Sequence, residues 1–135
     1  IGLAGEHLVC VDLLSRGLHA FLSEQNCSYD VALEWKTRLI RIQVRTCSAP
    51  KPYLQKRQEH VIGYSWWIRS GKGARKKIKS DSFDILALVA LDSKKIGYLS
   101  VSSVTQTIQI PVSGMRSSHG KTFESMSLER ALPCE

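Results

Sequence analysis

Gln43 and Arg45 lie two apart in RLIRIQVRTCS (residues 38–48), where Ile40, Ile42 and Val44 alternate with Arg41, Gln43 and Arg45. Strand residues two apart project from one face, which sets an amide oxygen beside a permanent cation. Asp30 lies in an earlier alternating run, 28–34, in which Tyr29, Val31 and Leu33 oppose Asp30, Ala32 and Glu34. If the two runs pair, Asp30 comes close to Gln43 across the ladder. Glu6 offers a further oxygen. On a helical projection it falls near Val9, Cys10 and Leu13 rather than with the polar sector of Gly5, Asp12 and Arg16. A carboxylate on a semi-apolar face is costly unless something compensates it. Mg²⁺ takes one or two carboxylates plus waters, so Glu6, Asp30 and the Gln43 carbonyl oxygen suit a hard cation beside Arg45. Alternation alone fits a plain amphipathic strand equally well, and the helix dipole favours an acid near a helix start for its own reasons.

These residues need elements to hold them. A helix is expected over 2–17, with Gly17 as its stop and Ala4, Leu8, Val11, Leu14 and Leu18 as its apolar side. Strands are expected at 19–24, 28–34 and 38–46, the last two joined by a hairpin around 34–37. After Pro50 and Pro52, the polar stretch 53–60 reads as a short helix or exposed loop. Further strands are expected at 61–69, 83–91, 95–101 and 108–112, then a Ser/Gly-rich loop over 113–121 and a short helix at 127–132. In the 61–69 strand Trp66 and Trp67 point to opposite faces, so one belongs to the core. Helix followed by meander is an α+β opening, and 135 residues suit one domain, 1–135.

A net charge of +7 and a pI near 9.4 favour a polyanionic partner. No apolar run approaches the roughly 18 residues that span a bilayer, so no membrane role is expected. The four cysteines and four histidines are scattered, with no CxxC. That pattern argues against a structural zinc site and points to reduced thiols in a cytoplasmic protein. The stretch RSGKGARKKIKS (69–80) carries six basic residues and no acid: Arg69, Lys72, Arg75, Lys76, Lys77 and Lys79. With Lys51, Lys56 and Arg57, it suits contact with a phosphate backbone, or else solvation of a sheet edge.

The order AGEHLVCVDLLSRG, SYD, RLIRIQVRT, about residues 2–46, resembles the PD-(D/E)XK nuclease superfamily. The branch it resembles includes an intron-encoded homing endonuclease and is related to archaeal Holliday-junction resolvases. A weaker likeness extends to an Asp-containing strand at 82–85 and a Tyr-containing strand at 96–99. The resemblance implies a restriction-endonuclease-like αβββαβ core, α+β or α/β, with a central mixed sheet. It also implies Mg²⁺-dependent endonucleolytic hydrolysis of DNA, with Mn²⁺ as a substitute, and a homo-oligomer, because cutting two strands usually needs two sites. By the same resemblance Glu6 is the helix acid, Asp30 a metal ligand, Gln43 the second ligand position and Arg45 the basic position. Tyr29 stands where the family has proline, and Arg45 where it has lysine. A guanidinium stays protonated at any useful pH, so Arg45 can hold a phosphate but not act as a general base. A DNA-binding module with weakened or lost chemistry is therefore the alternative to an active nuclease.

Overall fold

The computed structural model describes residues 1–24, 27–54, 60–68, 82–103, 107–112 and 121–133. The chain opens with helix α1 (Gly2–Ser15) and a meander of β1 (His19–Leu22), β2 (Val31–Trp35) and β3 (Arg38–Cys47). A hairpin of β4 (Lys51–Leu54) and β5 (His60–Trp67) follows, then β6 (Ile85–Ala90), β7 (Lys95–Ser100), β8 (Thr107–Pro111) and the short helix α2 (Leu128–Ala131). Five strands form a mixed sheet in the order β1-β2-β3-β6-β7, parallel only between β3 and β6. The other three form an antiparallel sheet in the order β4-β5-β8.

Each face of the five-stranded sheet has its own core. On one face Ile40, Ile42, Val44, Ile85, Ala87 and Val89 pack with Val9 and Leu13 of α1 and Leu128 of α2. On the other, Leu86, Leu88 and Ala90 pack with Tyr64, Trp66, Ile108 and Ile110 of the smaller sheet. Strand β6 is covered on both sides, which is why ILALVA has no polar alternation. Trp66 is the core tryptophan and donates its indole N–H to the Val89 carbonyl at 3.0 Å, whereas Trp67 is exposed.

Gly17 ends α1 as expected. At φ 80° its N–H bonds to the Leu14 carbonyl (3.0 Å) and that of Leu18 to the Leu13 carbonyl (3.1 Å), the paired closure that favours glycine. The helix face differs from expectation. Gly5, Val9, Cys10 and Leu13 are buried, while Val11 and Leu14 are 59% and 51% exposed. The helix is apolar nearly all round, so periodicity marked no unique stripe, and close approach at Gly5 decided the matter. A Cβ there would lie 1.9 Å from Thr46 Oγ1 on β3. The polar residues on this side find partners instead of water. Asp12 accepts the Tyr98 hydroxyl at 2.6 Å, and Arg16 bridges Asp12 and Glu129 at 3.1 and 3.2 Å.

One further expectation is corrected. Tyr53 and Leu54 belong to a strand, because residues 51–54 pair with 60–63 at the edge of the smaller sheet, where prolines are tolerated. The α–β–β–β opening is present. Between β3 and the parallel β6 the described residues include strands β4 and β5, and residues 69–81 of this crossover lie outside them. No helix of the described residues is long and apolar enough to cross a membrane.

Candidate active site

The site begins where two strands part. Strand β2 pairs with β3 only as far as Val31 opposite Ile42. Strand β3 runs on to Cys47 with β6 alone beside it. Asp30 sits in the fork and is pinned there. Its N–H donates to the Ile42 carbonyl at 2.9 Å, its carbonyl accepts from Ser23 at 2.9 Å, and its Oδ2 accepts from the Val44 N–H at 2.8 Å. The side chain thus takes the place of a ladder carbonyl that the departing strand no longer supplies. One such bond leaves most of a carboxylate's lone pairs available to another partner.

Glu6 reaches this fork from α1. Burial first, then the charge of Asp30 and a hydrogen bond shared with it, push the Glu6 carboxyl above its usual range, opposed only by His7. Glu6 is half-buried at this fork rather than fully exposed. It also acts on its own helix, where burial and then the Glu6 charge raise the Cys10 thiol. Glu6 and Asp30 share an open cleft of about 280 Å³, with Glu24, Cys27 and Tyr29 among its other walls. A Glu6 carboxyl raised by burial and by a neighbouring carboxylate is one that a bound cation would relieve. Among the described residues no three Asp, Glu, His or Cys side chains converge on one point. A cation here would need an amide oxygen or waters beyond the two carboxylates.

Gln43 is the next residue of β3 beyond the last β2 pair, beside Asp30, and is half-buried. It shares the sheet face of Arg41 and Arg45, opposite the face on which Ile42 and Val44 meet α1. Glu6 and Gln43 therefore approach the fork from opposite sides of the sheet. The structure joins Glu6 to Asp30. It sets Gln43 and Arg45 on adjoining β3 positions, outside the walls of the Glu6–Asp30 cleft. Arg45 is half-buried, and its Nε is buried with no hydrogen-bond partner among the described residues. An unsatisfied guanidinium N–H is costly, and this one is closed off from solvent.

Asp84, at the start of β6, shows what a paired acid looks like in this fold. Its N–H donates to the Arg41 carbonyl at 2.8 Å, and its Oδ2 accepts from the Arg41 N–H at 2.9 Å and from Arg41 Nε at 3.2 Å. Burial alone would raise its carboxyl. The Arg41 hydrogen bonds and the charges of Arg41 and Arg38 hold it below the usual range instead. Asp30 and Asp84 thus grip β3 from its two sides by the same device. The charge of Asp84 is taken by an arginine, whereas Asp30 faces another acid. The sequence marks Asp84 only as an acid in a strand-like stretch, and gives no sign that Glu24 and Cys27 line the cleft. Both are brought there by the chain reversal between β1 and β2.

Of the basic residues expected to meet DNA, Lys51 is exposed on β4, beside a small cleft at the end of β3 that includes Thr46, Ser48 and Ser65. Lys56, Arg57, Arg69, Lys72, Arg75, Lys76, Lys77 and Lys79 lie outside the described residues.

The chain's fold is similar to that of the solved structure of a bacterial homing endonuclease, I-Ssp6803I, with a TM-score of 0.62. The two share a fold. The match covers 93% of this chain and 82% of that one, at 14% sequence identity. No protein-family model matches the sequence, and no curated protein does.

Proposed function

We propose that this protein is a divalent-metal-dependent DNA endonuclease of the PD-(D/E)XK type, homing-endonuclease-like or resolvase-like in its chemistry. One observation carries the reading. Two carboxylates from distant parts of the chain, Glu6 and Asp30, meet at a strand fork and line one open cleft, in a fold shared with a homing endonuclease. Glu6 and Asp30 would hold Mg²⁺ in their cleft, with Mn²⁺ as a substitute, and the Gln43 carbonyl oxygen would have to reach it from the other side of the fork; these are hard oxygen donors of the kind such ions take. When bound, the ion supplies Lewis acidity toward the phosphodiester and a water of lowered pKa.

The protein's own groups do the rest. Asp30 is oriented by the Val44 N–H. Glu6 is brought to it by the close approach of α1 at Gly5. Arg45 offers its half-buried guanidinium to the phosphate and stabilises charge that builds on it, while taking no proton. Lys51, with the basic residues of 56–57 and 69–79, would hold the flanking backbone without reading sequence. Residues 1–135 would act as one domain of a cytoplasmic homo-oligomer, each copy cutting one strand.

Nicking of supercoiled plasmid in Mg²⁺ is the test. Nicking that needs the metal and is lost in Glu6→Gln supports the reading, and Gln43→Glu should strengthen it by tightening metal binding. DNA binding with no nicking in Mg²⁺ or Mn²⁺, in the parent and in Arg45→Lys alike, would refute it. That outcome would favour a DNA-binding module with lost chemistry, the reading to which the fixed charge of Arg45 lends support.

A further inference from the structure

A second cleft opens at the other end of β3. Arg38 starts the strand five positions before Gln43, roughly 16 Å away at about 3.3 Å per residue. Together with Arg130 of α2, Ser100 at the end of β7 and Ser102 just after it, Arg38 lines an open space of about 370 Å³. The acid in its wall, Asp84, is already taken by Arg41. Glu129, next to Arg130, is taken by Arg16. Among the described residues neither Arg38 nor Arg130 is held in an ion pair. The Ser100 hydroxyl lies 3.0 Å from that of Ser102 and 3.2 Å from that of Ser103. Two guanidinium groups outside any ion pair thus line a cleft with serine hydroxyls, and the nearby carboxylates are bonded to Arg41 and Arg16, with the Arg38 charge also acting on Asp84.

We propose that this cleft is a phosphate-binding site, separate from the Glu6–Asp30 fork. Its ligand is a tetrahedral oxyanion. Arg38 and Arg130 provide forked N–H donors suited to phosphate oxygens, and the serine hydroxyls provide neutral donors between them. The cleft is of the size of small-ligand sites, so it admits a phosphate together with part of the ester that carries it. The phosphate belongs either to a DNA backbone, an arm that rests on the nuclease reading, or to a free phosphate, an arm that does not.

The test follows the side-chain Nε–H signals of Arg38 and Arg130 by NMR in metal-free protein. Inorganic phosphate is titrated against chloride at equal ionic strength, and a short duplex DNA is titrated separately. The expected result is a joint, saturable shift of both arginines with phosphate but not with chloride, while Arg16, already held by Asp12 and Glu129, stays still. In the DNA arm, Arg38→Gln with Arg130→Gln should make the slope of log affinity against log salt shallower by about one, the share of one phosphate contact. Shifts in both arms assign a backbone phosphate, and shifts with inorganic phosphate alone assign a free one. Absence of any saturable shift in either arm, or a drift that chloride reproduces, overturns the proposal. Should the double variant fail to fold, the titrations of the parent protein decide alone. Because the phosphate arm uses neither metal nor DNA, its failure is distinguishable from failure of the nuclease reading.

Discussion

Replacing Asp30 separates its two duties. In Asp30→Ala the Val44 N–H, on a residue 8% exposed, loses a charged acceptor at 2.8 Å. Hydrogen bonds to charged groups contribute about 1.5–3 kcal/mol, so a loss of roughly 2 kcal/mol is expected, offset in part by relief of the Glu6 carboxyl. In a chain of this size that lowers the thermal midpoint by about 8 °C. In Asp30→Asn the amide oxygen still accepts from Val44 and the repulsion is gone, so at most about half of that loss is expected. The Glu6 carboxyl should then titrate nearer its ordinary value, though burial keeps it raised. A carboxyl raised by folding makes the folded state the better proton binder, so stability falls as pH rises from the unfolded pKa through the folded one. Asn should flatten that fall. Metal affinity, read by calorimetry with Mn²⁺, should drop by at least about 100-fold in both variants, more than the loss of an outer partner causes. Two results would refute the reasoning. If Asn destabilises as much as Ala, the Val44 bond is not what Asp30 contributes. If Asn leaves metal affinity and nicking intact, Asp30 is no ligand.

Two other perturbations probe the scaffold. Gly5→Ala should cost about 1–3 kcal/mol by overpacking, despite alanine's better helix propensity, because its Cβ would meet Thr46 Oγ1. Adding Thr46→Ala should recover part of the loss in chemical denaturation; no recovery would place the strain elsewhere. Asp84 has a lowered carboxyl, so its contribution to stability is complete above the unfolded pKa and disappears as pH falls through the folded one. Asp84→Asn should therefore flatten the acid limb of a stability–pH profile below the usual carboxylate range, and an unchanged limb would contradict the Arg41 pairing.

Local signals were readable from residue types alone. Gly17 stops α1, the β1–β3 meander follows from alternation, and Gln43 and Arg45 share a face because strand parity requires it. The side of α1 that meets the sheet was not readable, since Leu3, Val11 and Leu14 are as apolar as the residues that are buried. Strand β4 was hidden for a related reason. It is a half-exposed edge of four residues containing a proline, with little apolar alternation to reveal it. The meeting of Glu6 with Asp30 depends on how closely a helix crosses a sheet. A glycine permits that approach; the sequence groups the two acids by donor type and family resemblance, and no spacing fixes their contact. The placement of Gln43 and Glu6 on opposite sides of the fork likewise depends on three-dimensional packing and not on spacing.

Strand β3 is anchored through its own amides, at Arg41 by one aspartate and at Val44 by another. The side chains at 43 and 45 take no part in that anchorage, although they stand between and beside the anchored positions. A designer could exchange them, carboxylate for amide or lysine for arginine, and expect the peptide planes beneath to stay where they are. Molecules built this way keep their reagents on an interchangeable rail, so a lineage could gain, dull or retune its reactivity without remaking its frame.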